Sequence, residues 1–390
     1  MLLVLGSVVA ACSLTPLHAA EPAAGASACG PWTRWQAFKQ SFINPEGRVV
    51  DVGSTDSRTV SEGQAYGLFF ALVADDRATF DRLLAATEDL LGMGRPFKRL
   101  PAWLWGQRSD GGFGILDENS ASDADLWIAY ALLQAGRLWH EVRFSALGAS
   151  VARQVLAREA ARLPGLGLTV LPGAAGFVVG PSAWRLNPSY LPLQVLRGIA
   201  ADVPAQRGWA GVVASSQKVL QRTAPHGFAP DWVLYERLKG EGAFEFRADP
   251  ATHAEGSYNA IRVYLWLGML SAKDPVAARL LTLYRPMVDA VRAQGHPPEV
   301  VDTVRGTFGK NAGNAGFSAA VVPFLRAQGA ADLAQAQMDR VAQLEARHPS
   351  GYYSQVLALF GLGWQAGRFR FTSRGQLSVA WNQRCLRGDS

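Results

Sequence analysis

Two acidic residues in this chain stand where a carboxyl group could do proton chemistry. Glu62 lies in Ser61-Glu62-Gly63-Gln64-Ala65-Tyr66-Gly67, a polar, glycine-bearing approach to the apolar run Leu68 to Leu72. Asp123 lies in Ala121-Ser122-Asp123-Ala124-Asp125-Leu126-Trp127, which opens a second apolar stretch. A third polar start, Ser257-Tyr258-Asn259, precedes another. Two carboxyls on one cleft can divide acid and base work if their surroundings set their pKa values apart. An acidic side chain in a first helical turn also simply favours the helix macrodipole. Gly63 and Gly67 weaken that plain reading for Glu62, because glycine is poor inside a helix. Close approach of another chain segment or a ligand is one reason to keep them. A helix start lowers a carboxyl pKa, whereas a general acid needs one raised. An ionised Asp123 nearby, or burial against aromatics, must supply the difference.

The elements that must position these residues read as helices. Apolar residues at Trp32, Trp35, Phe38 and Phe42 recur at helical spacing. The same reading predicts helices over 61–74, 80–91, 123–139, 144–161, 191–201, 209–223, 258–270, 275–292, 317–326, 331–344 and 354–364. Ser61 followed by Gln64 forms a capping-box signature, and Ser122 reads as the N-cap of the helix bearing Asp123. Long connections rich in glycine, proline and aromatics run over 92–114, 163–190 and 226–256, with short strands predicted at Thr169 to Leu171 and Phe177 to Val179. No Ser/Gly or Pro linker divides the chain. An all-α fold follows, as a single domain over residues 29–390 with long loops and a few short strands. Helices in this number suit a barrel of helical hairpins. If they alternate direction, the three polar starts gather at one end and bring Glu62, Asp123 and Asn259 to one cleft.

The loops carry Trp103, Trp105, Trp184, Tyr190, Trp232, Tyr352 and Tyr353. Any one of these rings is ordinary core filling. As a set beside Arg185, Asn187 and Arg262 they favour a saccharide cleft, since sugar C–H faces pack on aromatic rings and sugar hydroxyls need polar partners. The six histidines are scattered, with no His-Glu-x-x-His or Cys-x-x-Cys pattern, so no metal is expected. Gly-x-Ser-x-Gly, Walker and dinucleotide patterns are absent, and no cofactor is expected.

The net charge is +6, but the basic residues are dispersed, which reads as an arginine-rich surface rather than a nucleic-acid partner. Residues 1–28 read as an export signal and short leader: Leu2 to Val9 is apolar, and Ala26-Ser27-Ala28 fits signal cleavage. Val9-Ala10-Ala11-Cys12 is the competing lipoprotein reading, with anchoring at Cys12. No other run suits a transmembrane span. A periplasmic or secreted location follows. Cys29 and Cys385, at opposite ends of an exported chain, are expected to form a disulfide, against the alternative of two unpaired thiols.

The chain resembles glycoside hydrolase family 8 from about Trp32 to Trp364, most closely the periplasmic branch encoded with bacterial cellulose synthase. ASDADLWIAYALLQAGRLW, from Ala121 to Trp139, matches the family signature, and SEGQAYG is similar to the segment carrying the family's general acid. Further likenesses are Leu186-Asn187-Pro188-Ser189-Tyr190, Pro230-Asp231-Trp232, Ala260-Ile261-Arg262 and Gly351-Tyr352-Tyr353-Ser354. The resemblance implies an (α/α)6 barrel and an inverting endo-hydrolase of β-1,4-glucan or cello-oligosaccharide. It implies association with cellulose synthesis and secretion. Glu62 would be the general acid, and Asp123 would bind and distort the sugar at the cleavage point. Trp105, Asn187, Tyr190, Asp231, Trp232, Arg262, Tyr352 and Tyr353 would line the substrate. An inverting enzyme uses water, with its carboxyls roughly 6.5–9.5 Å apart.

One position departs from that pattern. The cellulase branch has an Asp general base where this chain has Asn259, in Ser257-Tyr258-Asn259-Ala260-Ile261-Arg262. An amide cannot accept a proton from water as a carboxylate does, and losing a general base costs on the order of 10²–10⁴ in rate. Three readings stay open. Asn259 is an inactivating change that keeps substrate binding. Another carboxylate, among Glu255, Glu245 and Asp231, serves as base, as in a chitosanase-type branch. Or the chain is a glucan-binding pseudoenzyme.

Overall fold

Helices buried all round alternate along this chain with helices buried on one face, and that alternation builds the fold. The structure, a computed structural model, describes residues 28–94, 98–238 and 242–383. The export segment with Cys12, and the Cys385 half of the expected disulfide, lie outside those residues. In chain order the helices are α1 (Thr33–Phe42), α2 (Ser61–Val73), α3 (Arg77–Ala86), α4 (Ser122–Leu138), α5 (Val142–Arg158), α6 (Leu193–Asp202) and α7 (Trp209–Arg222). Then follow α8 (Ile261–Met269), α9 (Ala277–Leu283), α10 (Pro286–Gln294), α11 (Ala315–Ala327), α12 (Ala331–Arg347), α13 (Tyr352–Gln365) and the short α14 (Ala380–Gln383).

Every residue of α2 except Glu62 is buried, every residue of α4 except Arg137, and all of α8. Helices apolar around their whole circumference belong inside a fold. By contrast α5 buries a stripe of Phe144, Gly148, Val151, Ala152 and Val155, and α12 only Ala334, Gln337 and Val341. The inner ring is therefore α2, α4, α6, α8, α11 and α13. Each inner helix has an outer companion: α3, α5, α7, the α9–α10 pair, α12 and, closing the circle, α1 against α13. This is an all-α (α/α)6 barrel. Its centre is aromatic. The Phe360 ring of α13 meets Phe70 at 4.6 Å, Trp127 at 5.1 Å and Trp266 at 5.1 Å, so one side chain ties α2, α4 and α8 together.

The strands sit in the long loops. β1 (Thr59–Val60), β2 (Leu104–Gln107) and β3 (Phe113–Asp117) form an antiparallel sheet that runs straight into α2. β4 (Ala160–Leu163) and β5 (Gly167–Val170) form a hairpin. β6 (Val178–Gly180), β7 (Ala183–Leu186), β8 (Val233–Arg237) and β9 (Phe244–Ala248) make a four-stranded sheet, and β10 (Glu255–Gly256), β11 (Val301–Asp302) and β12 (Thr307–Phe308) a third. β13 (Phe369–Phe371) pairs with β14 (Leu377–Val379) near the end. Only two of these strands were predicted. Loops such as 98–120 lack sustained alternation, so their pairing is not visible in period alone.

Three local expectations change. The helix predicted over 275–292 is two helices, because Pro286 cannot donate to the preceding turn and instead starts α10. The helix predicted from Tyr258 begins only at Ile261, so Asn259 lies in the turn before it. The Ser61–Gln64 capping box does not form. Val60 is the N-cap residue, and Gln64 turns inward. There its Oε1 accepts from Val49 N–H at 2.6 Å, and its Nε2 donates to Gly47 O, Leu83 O and Thr87 Oγ1. Ser122 likewise lies inside α4 rather than capping it.

Candidate active site

The starts of the inner helices meet at one end of the barrel, and the polar residues singled out in the sequence lie there. Glu62 is the second residue of α2 and the one member of that helix not fully covered. Its Oε1 accepts from the Trp103 indole N–H at 3.3 Å, and its Oε2 lies 3.4 Å from the Ser61 hydroxyl. Trp103 comes from the loop entering β2 and is 36% exposed, so its ring is open to a ligand beside the carboxyl. The two glycines flanking this segment serve the fold itself. A Cβ at Gly63 would come within 3.0 Å of the Tyr352 hydroxyl, and one at Gly67 within 3.2 Å of Leu83.

Asp123 opens α4. Its Oδ2 accepts from Arg262 Nη1 at 2.7 Å, and its Oδ1 takes the Ala124 N–H at 2.9 Å. Both ends of the ion pair are buried. Arg262, in the first turn of α8, is the hub. Its Nη1 also donates to the Tyr66 hydroxyl at 3.1 Å, and its Nη2 to Asn259 Oδ1 at 2.8 Å. Its guanidinium lies 5.3 Å from the centre of the Tyr190 ring. Planar, with donors in a fixed fork, it can hold three groups in one geometry.

Asn259 Oδ1 has a second donor, the Asn187 amide, at 3.2 Å. Asn187 is itself fixed by Ser189, whose N–H and hydroxyl both donate to its Oδ1. Asp231 builds the turn: its Oδ1 accepts the backbone N–H groups of Ser257, Asn259 and Ala260 at 2.9, 3.0 and 2.7 Å. The Tyr353 hydroxyl donates to Tyr258 O at 2.6 Å, bracing the same turn from α13.

Burial pushes the Glu62 carboxyl up to about 8, and the negative charge of Asp123 adds to the effect. Arg262 and the Trp103 N–H pull the other way without prevailing. The conflict between a helix-start position and an acid role is thus resolved by both of the sources foreseen, with burial the larger. Burial also raises Asp123, against the pull of its Arg262 partner. Asp231 is raised by burial, and its three backbone donors oppose that.

The aromatic positions fall into two groups. Tyr190, Tyr352 and Tyr353 stand beside the polar network. Trp105 and Trp232 are already stacked. Trp105 on β2 lies between Phe113 on β3, 5.3 Å away and nearly parallel, and Arg48, whose guanidinium lies 4.1 Å away on the β1 side and bonds Thr59. Trp232 carries Arg185 at 4.1 Å and a parallel Phe177 at 5.9 Å. Trp103 rather than Trp105 reaches Glu62. Tyr66 was not singled out, although it lies one helical turn after Glu62 and so shares its face. Of the alternative bases, Glu255 pairs in β10 and Glu245 in β9, both exposed, while Asp231 contacts the Asn259 turn. Among the described residues no group of three or more His, Cys, Asp or Glu could hold a metal ion, and no helix is long and apolar enough to cross a membrane.

Glycosyl hydrolases family 8 matches residues 12–367, and the chain belongs to that family. It is 47% identical to an endoglucanase of Xanthomonas axonopodis pv. citri over 96% of this chain and 95% of the relative. It is 42% identical to an endoglucanase of Escherichia coli, over 91% of this chain and 92% of that one. The crystal structure of an endo-1,4-D-glucanase from Vibrio fischeri superposes with a TM-score of 0.85 at 42% identity, covering 90% of this chain and 99% of that one. An endo-β-1,4-glucanase from Acetobacter xylinum shares the fold, with a TM-score of 0.70 at 24% identity over 88% and 99% of the two chains.

Proposed function

We propose that this chain is an inverting endo-β-1,4-glucanase whose acid half is intact and whose base position holds an amide. Glu62 gives its proton to the glycosidic oxygen as the C–O bond breaks. Asp123, fixed by Arg262, accepts hydroxyl hydrogen bonds from the sugar at the cleavage point and, as a buried anion, supports the positive charge that develops on the ring. Trp103, Tyr190, Tyr352 and Tyr353 offer faces and hydroxyls to neighbouring sugars. Water attacks from the opposite side, where Asn259 orients it but cannot take its proton, which passes instead to solvent water and makes the step slow.

The observation that carries this reading is the pair of donors on Asn259 Oδ1. Arg262 and Asn187 both point hydrogen at that one oxygen. A carboxylate would accept both bonds and present its second oxygen where the amide nitrogen now lies, so the surroundings suit an anion better than the residue they hold. Asp231 is the less suited substitute, because one of its oxygens is committed to three backbone N–H groups. Asn259→Asp is expected to raise hydrolysis of carboxymethylcellulose by on the order of 10²–10⁴. An unchanged rate, with activity lost on removing Glu255, Glu245 or Asp231 and with chitosan or xylan hydrolysed instead, would replace it with the chitosanase-type reading.

The identity to endoglucanases over nearly the whole chain supports glucan as the substrate. The apolar start and the small residues after it support export as a periplasmic or secreted domain over 29–390. A Cys29–Cys385 disulfide and a place beside the cellulose synthesis machinery are part of the same proposal. If the second is right, deleting the gene alters secreted cellulose rather than growth on glucan.

A further inference from the structure

Behind the cleft lies a second pair of carboxyls that the reaction does not use. Asp125 sits in the first turn of α4, two residues past Asp123, and Glu159 follows the last residue of α5. Their exposures are 0% and 1%. The two carboxyl groups face one another within hydrogen-bonding range. The Ser120 hydroxyl lies 2.5 Å from Glu159 Oε1, which it supplies with a hydrogen bond. Both oxygens of Asp125, and Oε2 of Glu159, are buried and receive no N–H or O–H bond from the protein. An orphaned buried acceptor is costly, a charged one most of all, and two carboxylates in contact also repel. Arg262 is paired with Asp123. One proton resolves both difficulties, since a protonated carboxyl is a donor and its ionised neighbour an acceptor.

We propose that Asp125 and Glu159 hold one proton between them, as a buried acid pair that seats the first turn of α4 and fixes the charge lying behind Asp123 and Glu62. The two are positioning residues, not catalytic ones. The backbone around the pair, with Ser120, also holds the loop over 171–174. Ser120 Oγ accepts from Ala174 N–H at 3.2 Å, Glu159 O from Leu171 N–H at 2.7 Å, and Pro172 O takes the Ser122 N–H at 2.9 Å. Burial raises both carboxyls and the charge of Glu159 raises Asp125 further, which disfavours a doubly ionised pair. Asp123 acts on both members and Glu62 on Asp125, so the coupling runs through the site as a whole.

The test is a carboxyl-carbon NMR titration of Glu62 in protein labelled only at glutamate side chains, with Glu62→Gln assigning the resonance. It needs no turnover, so its outcome is independent of whether the chain hydrolyses glucan. With one shared proton, Asp125→Asn leaves Glu159 ionised and the charge of the pair unchanged, and the Glu62 midpoint stays in place. Glu159→Gln gives the same result from the other side, in case the first variant does not fold. Asp125→Asn with Glu159→Gln removes the charge, and the midpoint falls by on the order of one pH unit, the coupling of buried charges at an effective dielectric near 20. A fall in either single variant means that the pair is doubly ionised, and no fall in the double variant means that it is neutral. Either result overturns the proposal.

Discussion

The two sides of the cleft are built on opposite principles. On the Glu62 side a carboxyl lies among aromatic rings with two weak partners, and burial raises it to about 8. On the Asn259 side a guanidinium and an amide converge on one oxygen, and Asp231 organises the turn beneath it. The first environment favours a neutral acid. The second favours an anion, yet holds a neutral amide. On the proposed reading, the difference teaches that two donors fixed on one oxygen would hold a carboxylate at position 259 as readily as the amide. Arg262 belongs to both halves, since it neutralises Asp123 and holds Asn259.

The largest effect should come from the acid half. In an Asn259→Asp background, Glu62→Gln is expected to lower kcat on cello-oligosaccharides by on the order of 10²–10⁴ with KM little changed. Equal activity in the two proteins would remove Glu62 from the mechanism. Next is the shared hub. Arg262→Met leaves Asp123 buried without its cation, and breaking such a pair costs about 3–5 kcal/mol. Urea unfolding measures it, and a loss below about 1 kcal/mol, the range of a surface pair, would show that the network is not held as described.

The pH dependence separates the halves more finely. A general acid at about 8 must be protonated to work, so the rate in the Asn259→Asp background should be level around neutrality and fall above pH 8. Asp123→Asn removes a charge that raises Glu62, so any residual activity should begin to fall at lower pH. A descending limb that does not move separates Glu62 from Asp123. The same shift has a stability consequence. The folded protein binds more protons than the unfolded chain between 4.5 and about 8, so Glu62 lowers stability as pH rises through that window. Glu62→Gln should therefore raise the Tm more at pH 9 than at pH 4. The smallest effect is that of Trp103→Phe. Loss of an N–H that favours the ionised form should move the descending limb slightly upward.

Much of this was legible in the sequence, for reasons that differ from residue to residue. The polar starts at Ser61, Ser122 and Ser257 mark the segments that open on the cleft, and they make Glu62, Asp123 and Asn259 legible as its candidates. The part played by Arg262 was only partly visible. Ala260-Ile261-Arg262 marks it, but no spacing tells that one guanidinium reaches Tyr66, Asp123 and Asn259 across three helices. Gln64 misled because a capping box and an inward-facing glutamine share one local pattern, and tertiary contacts decide between them. Nothing in the sequence reveals the neighbours that orient the half-buried rings of Trp105 and Trp232, which are Arg48 and Phe113 for the first and Arg185 and Phe177 for the second. The Asp125–Glu159 pair was unreadable, because its members are brought together only by the packing of α4 against α5.

The central claim is that the base position is shaped for an anion it does not hold. The most direct measurement is the hydrolysis of cellopentaose by the chain and by Asn259→Asp, followed by proton NMR of the newly formed anomer. A gain on the order of 10²–10⁴, with the α-anomer appearing first, is the predicted result. An unchanged rate in a variant that still folds and binds cellopentaose would contradict it.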